Sequence, residues 1–174
     1  IIGFGRFAGI VGAYNALIGY GKRTGLFELK PAHQCRDKDD MEKQVDGLEL
    51  PAVKIVLTGE GRVAGGAVET LEAMGVKRVQ PKEFLNQSYG HAVYCQLGVL
   101  DYNQHKDGKQ TEEAHFFKNP EEYQTAFTPF LNVSDIFVSC LTSFKAFIIN
   151  KRRLIIKKFC NEIKHFYNYL TLIA

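Results

Sequence analysis

Two stretches of this chain share the pattern G-x-G-R-x-A-G. Residues 1–9 read IIGFGRFAG, and residues 55–65 read IVLTGEGRVAG. Glycines at this spacing let backbone N–H groups approach a diphosphate, and a helix opening directly behind them points the positive end of its dipole at the same anion. Such chemistry needs a strand before the loop, bare backbone within it and a helix N-terminus after it. The second copy has all three. Residues 53–57 (VKIVL) are a β-branched apolar run, Gly59 and Gly61 follow, and a helix starts after Arg62, with Ala64 in the third small position. The first copy has Gly3, Gly5, Ala8 and a good helix, yet only Ile1 and Ile2 stand before it. It does have an acid downstream, Glu28, where a ribose-binding carboxylate could sit. The pattern favours the second copy and leaves both open. A third reading also stands, that the spacing serves close helix–helix contact and binds nothing.

Other chemistry-bearing residues give weaker patterns. His33, His91, His105, His115 and His165 lie in polar, loop-like contexts, where a histidine could act as acid or base but more often does not. No Ser-His-Asp arrangement is marked. The run DKDDMEK (37–43) reads as a solvated face rather than a metal site. Cys35, Cys95, Cys140 and Cys160 form no C-x-x-C pair and read as reduced thiols. Arg62 is placed to neutralise a phosphate or to bridge domains, against the plainer reading of a surface charge.

The elements that would hold these residues follow from periodicity. Residues 6–20 carry Phe7, Ile10, Val11, Tyr14 and Leu17 at helical spacing, with small Ala8, Gly9, Gly12 and Ala13 for close packing, and GYGKR ends the helix. TGLFELKP reads as a short strand, and 37–45 as a short helix. Residues 64–75 continue the helix behind the second glycine loop, and 76–80 (VKRVQ) are expected to be the second strand of a β-loop-α-β unit. A strand is expected near 92–96, a helix start at NPEEYQTAF (119–127) and a buried strand in 134–140. The expected fold class is α/β, an incomplete Rossmann-like parallel sheet with flanking helices, preceded by an interdomain helix. The division is 1–50 for that helix and its connection, 51–140 for the partial dinucleotide-binding domain, and 141–174 for a tail.

Composition bounds the partners. With 174 residues, 45% hydrophobic and 24% charged, the chain suits a globular domain, and no apolar run is long enough to span a bilayer. Its net charge of +3 is uneven: residues 141–174 hold seven Lys or Arg and one acid, so the body is mildly acidic. That tail has no Gly, Pro, Val or Asp. It is expected to be basic and helical. Its residues, rich in those that A/T-rich codons encode, point to translated non-coding or frame-shifted sequence rather than a membrane-surface helix. Neither nucleic acid nor a membrane is expected as a partner; a small-molecule substrate is, in the cytoplasm, with the oligomeric state open. The absence of a starting Met suggests a fragment.

The blocks IIGFGRFAGIVGAYNALIGYG, VKIVLTGEGRVAGGAVETLEAMGVKRV and DIFVSC, in that order, resemble lysine-forming saccharopine dehydrogenase, in the superfamily of alanine dehydrogenase and transhydrogenase. Residues 81–130 match less clearly, and 141–174 not at all. The resemblance implies that Gly5–Gly9 open the interdomain helix. It implies that Gly59, Gly61, Arg62, Val63, Ala64 and Gly66 form the pyrophosphate loop of NAD, and that Cys140 ends a strand near the nicotinamide ribose. It implies NAD-linked cleavage of saccharopine to lysine and 2-oxoglutarate, with the catalytic Lys and His in a domain before residue 1, so that this chain alone is inactive. Alanine dehydrogenase-like chemistry and a non-catalytic nucleotide-binding or interaction module are the alternatives. The family's acid after the second strand is replaced here by Gln80-Pro81-Lys82, which leaves NADP open beside NAD, or Glu83 in the acid's place.

Overall fold

The computed structural model describes residues 5–140 and the strands at 145–150 and 153–154. The architecture is α/β: a parallel sheet flanked by helices, Rossmann-like and incomplete. At its centre is β1 (Lys54–Thr58), whose last four residues are all buried. A strand covered on both faces must be apolar on both, and KIVLT meets that condition. On one side β1 pairs in parallel with β3 (Val93–Leu97), and on the other with β6 (Ile136–Ser139). Outside β3 lies the two-residue strand β2 (Lys77–Arg78).

This order corrects the expected second strand. Residues 76–80 shrink to Lys77–Arg78 at the sheet edge, and β3 takes the place beside β1. The physical reason is solvation. Lys77 and Arg78 are both exposed, and an interior position would have stripped water from two cations. Val93, Tyr94 and Cys95 are fully buried and can occupy it.

Helices α1 (Gly5–Thr24) and α3 (Arg62–Ala73) cover one face, where Ala13, Ala16, Ala64, Ala67 and Leu71 pack on Ile55 and Leu57. The short helices α4 (Pro81–Asn86) and α6 (Thr128–Val133) cover the other, where Phe84 and Phe130 meet Val56, Val93 and Cys95. Outside α1 lies α2 (Lys38–Val45), capped by the Asp37 side chain, which accepts the Asp40 N–H at 2.9 Å. Its Met41 and Val45 close over Ile10, Tyr14 and Leu17. Covered from both sides, α1 is buried almost all round from Gly9 to Gly21.

Three further expectations are modified. GYGKR does not end α1, which runs on to Thr24 and stops at Gly25 (φ 70°); the Phe27 ring packs over Gly21 and keeps that turn covered. TGLFELKP is not a strand, because no strand lies beside it. It is held instead by Tyr14, whose hydroxyl donates to the Lys30 carbonyl at 2.7 Å. Tyr14→Phe is therefore expected to cost about 1 kcal/mol, read as a lower urea midpoint; an unchanged midpoint would mean that the Lys30 carbonyl finds another donor. The helix start at 119–127 gives one 3-10 turn (Pro120–Glu122) and then β5 (Tyr123–Thr125), because Tyr123 pairs with His105 of β4 (Asn103–His105) and buries its ring there. The helix α5 (Glu113–Lys118) lies between those two strands in sequence.

The expected helical tail is corrected where it is described. β7 (Lys145–Asn150) pairs antiparallel with β6, and β8 (Arg153–Leu154) with β7. The apolar, β-branched run AFII suits a strand, and the open edge of β6 supplies unpaired backbone groups to meet it. The rest of the tail, with Cys160 and His165, lies outside the described residues, as do Gly3 and the strand sought before it. No helix among the described residues is long and apolar enough to cross a membrane.

Candidate functional site

Because β1, β3 and β6 are parallel, their C-terminal ends share one edge, and the second glycine loop lies there. Gly59 leaves β1 with φ 101°, a left-handed conformation that glycine adopts without strain. Its N–H donates to the Leu97 carbonyl at 2.9 Å, and its carbonyl accepts from Gln96 Nε2 at 2.9 Å, which pins the loop to the end of β3. On the other side the Cys140 N–H donates to the Thr58 carbonyl at 3.1 Å. A Cβ built on Gly59 would stand 3.5 Å from the Cys140 carbonyl oxygen. The loop is thus clamped between β3 and β6, with Cys140 against it.

Gly61 then caps α3 with an extended backbone (φ −80°, ψ −174°) and no side chain to cap with. Among the described residues nothing accepts the N–H groups of Gly61, Arg62, Val63 and Ala64; the first claimed donor is Gly65, bonded to the Gly61 carbonyl at 3.0 Å. A helix start leaves such donors unmet unless a cap, water or ligand takes them. Space is present as well: a Cβ on Gly61 would have no neighbour within 4 Å. Glu60, Gly61 and Arg62 are exposed, Val63 is half-buried and Ala64 is buried.

The first glycine copy comes to the same place. α1 runs parallel to α3, with Gly5 beside Arg62, Gly9 against the Val63 carbonyl and Gly66 against the Arg6 carbonyl. Two helix N-termini therefore sit side by side, each with about half a positive charge. Arg6 is taken by Glu69, through Nε and Nη2 at 2.7 and 2.8 Å, and Lys38 joins the same carboxylate at 2.9 Å. Lys38 first and Arg6 second hold the Glu69 carboxyl below its usual range. Arg62 makes no ion pair among the described residues.

No family model matches the chain, and no curated protein matches it.

Of the expected site residues, the structure brings together Gly59, Gly61, Arg62, Val63, Ala64 and Cys140. Gly66 is displaced from the loop: it is buried in α3, and its missing side chain makes room for α1 rather than for a ligand. Burial pushes the Cys140 thiol up to about 12, so it stands at the loop as a neutral thiol and not as a thiolate nucleophile. Glu83 is elsewhere; its Oε2 accepts the Gln80 N–H at 3.3 Å at the start of α4. His105 and His115 belong to the excursion between β3 and β6, where Glu122 and Tyr123 hold them.

Four residues at the edge were missed. Thr58 ends β1 with 2% exposure, and its hydroxyl has no hydrogen-bond partner among the described residues. Gly98 follows β3, and its N–H donates to Asp101 Oδ2 at 2.7 Å. Glu60 leans over the same glycine: a Cβ on Gly98 would lie 2.7 Å from Glu60 Oε2. Asp101 and Glu60 carry a readable signal once β3 is known to adjoin β1, since the end of the neighbouring strand is where a ribose-binding acid belongs.

Proposed function

We propose that residues 51–140 bind the dinucleotide NAD, as the cofactor-binding part of a cytoplasmic oxidoreductase acting on CH–NH groups. By its sequence resemblance, the substrate reading is saccharopine, yielding lysine and 2-oxoglutarate. One observation carries the binding reading. At a single sheet edge, four unclaimed backbone donors at a helix start stand next to two carboxylates. A dinucleotide has the matching halves, an anionic diphosphate and a ribose rich in hydroxyl donors.

The donor set fits that group. The N–H groups of Gly61, Arg62, Val63 and Ala64 would take the pyrophosphate, with the Arg62 guanidinium adding charge beside them. The bare face of Gly61 leaves room for close approach. Glu60 and Asp101 suit the adenosine ribose, and Cys140 lines the loop on the β6 side. When bound, the nicotinamide supplies the hydride acceptor for oxidation of the carbon bearing the secondary amine. What these residues contribute is position and charge; acid–base groups are expected from outside the described residues.

A second reading is favoured by Gly9 and Gly66. Both serve the contact of α1 with α3, so close packing alone accounts for part of the glycine pattern. Calorimetric titration of the full chain with NAD, and with ADP-ribose, separates the two. Both ligands carry the diphosphate, and each is expected to bind more tightly than about 1 mM, more weakly as salt rises. If neither binds, the packing reading stands and the oxidoreductase proposal falls.

A further inference from the structure

We infer that Glu60, the residue between the two loop glycines, makes the site select NAD over NADP. The inference rests on the dinucleotide reading above and adds the group that discriminates. β1 lies between β3 and β6, and the α3 crossover carries the chain to β2 on the β3 side, so a ribose meeting this loop on that side would lie over the end of β3. That end is Gly98, which has no side chain to offer. Two carboxylates converge on it from elsewhere: a Cβ on Gly98 would stand 2.7 Å from Glu60 Oε2 and 3.5 Å from Asp101 Oδ2.

The two acids are not equivalent. Asp101 is engaged by the Gly98 N–H at 2.7 Å and fixes the turn after β3. Glu60 makes no hydrogen bond or ion pair among the described residues, so its oxygens remain open to donors. An ionised carboxylate only accepts, and a vicinal diol offers it two O–H donors. A 2′-phosphate in the same place offers none, and brings about −1.5 to −2 charges toward two anions. Glu60 therefore favours the diol and rejects the phosphate. Gly98 is part of the device, because any side chain there would occupy the space of the Glu60 carboxylate.

The test is parallel titration of the full chain with NAD and with NADP. Wild type is expected to prefer NAD by about a hundredfold, the scale of a like-charge clash at a binding site. Glu60→Gln should reduce the preference to under about tenfold. Gly98→Ala should do the same with Glu60 intact, by displacing its carboxylate, and the double variant should lose no more than either alone. Circular dichroism confirms that each variant is folded. If NAD binds and Glu60→Gln leaves the ratio unchanged, Glu60 is not the selector and the dinucleotide reading survives. A wild-type preference for NADP also overturns the inference. If neither dinucleotide binds wild type, the site reading itself fails and this inference fails with it.

Discussion

Gly66→Ala should cost the fold at least about 3 kcal/mol, at the upper end of what an overpacked core loses. The same change one residue earlier, Gly65→Ala, should stabilise it by about 0.5–1 kcal/mol. The difference lies in what each new Cβ would meet. At Gly66 it would stand 1.9 Å from the Arg6 carbonyl oxygen and 2.8 Å from its carbon. Those are backbone atoms in the first turn of a helix that is buried from Gly9 onward, not a side chain that can rotate away, so α1 and α3 would have to part. α1 is wedged between α3, the sheet and α2, and parting it would open the contacts of Ala13, Ala16 and Leu17 together. At Gly65 nothing lies within 4 Å, and alanine only removes the entropic penalty of glycine in a helix. The Arg6–Glu69 pair spans the same two helices, but Arg6 is 65% exposed and such a pair is worth under about 1 kcal/mol. Backbone contact, not charge, holds the crossing. Urea unfolding followed by circular dichroism reads both variants. Equal midpoints for Gly65→Ala and Gly66→Ala would refute this account of the crossing.

The pair of glycines also shows where a sequence stops being informative. The unit from β1 through Gly61 into α3 was legible because its signals are contiguous: an apolar run, a glycine turn and a helical period within about twenty residues, the local pattern of a nucleotide-binding turn. That Gly66 packs on the Arg6 backbone and Gly9 on the Val63 backbone was not legible. The small residues around Gly9 signal close packing, but the partner is a helix more than fifty residues away, and nothing local names it. Strand order failed for a related reason. VKRVQ and AVYCQL both read as strands, and neighbours in a parallel sheet are chosen by burial rather than by chain order. Weighing charge would have helped, since Lys77 and Arg78 fit an edge and VYCQL fits an interior. With β3 placed beside β1, the residues at that edge are Gly98, Glu60 and Asp101 rather than Pro81 and Lys82; Glu60 holds a variable position of the glycine pattern, and no local motif marks the other two.

Gly61→Val should weaken NAD binding at least tenfold while leaving the fold nearly intact, and this combination makes it the sharper probe of the loop. Its φ of −80° suits any residue, and a Cβ there points into open space, so no packed atom has to move. The structural penalty is confined to the helix cap, where valine is a poor substitute for glycine and costs on the order of 1 kcal/mol. For a ligand the same open space is the approach to the N–H groups of Arg62, Val63 and Ala64. Two added methyl groups would hold a diphosphate off those donors, and hydrogen bonds weaken steeply with distance. A tenfold loss is only about 1.4 kcal/mol, less than one charge-assisted hydrogen bond is worth, so the expected effect is a lower bound. Arg62 stays in place throughout, and any binding that remains measures what its charge does without the backbone. Affinity unchanged in a variant that melts like wild type would mean that no diphosphate sits at this helix start, and the oxidoreductase proposal would lose the contact on which it depends.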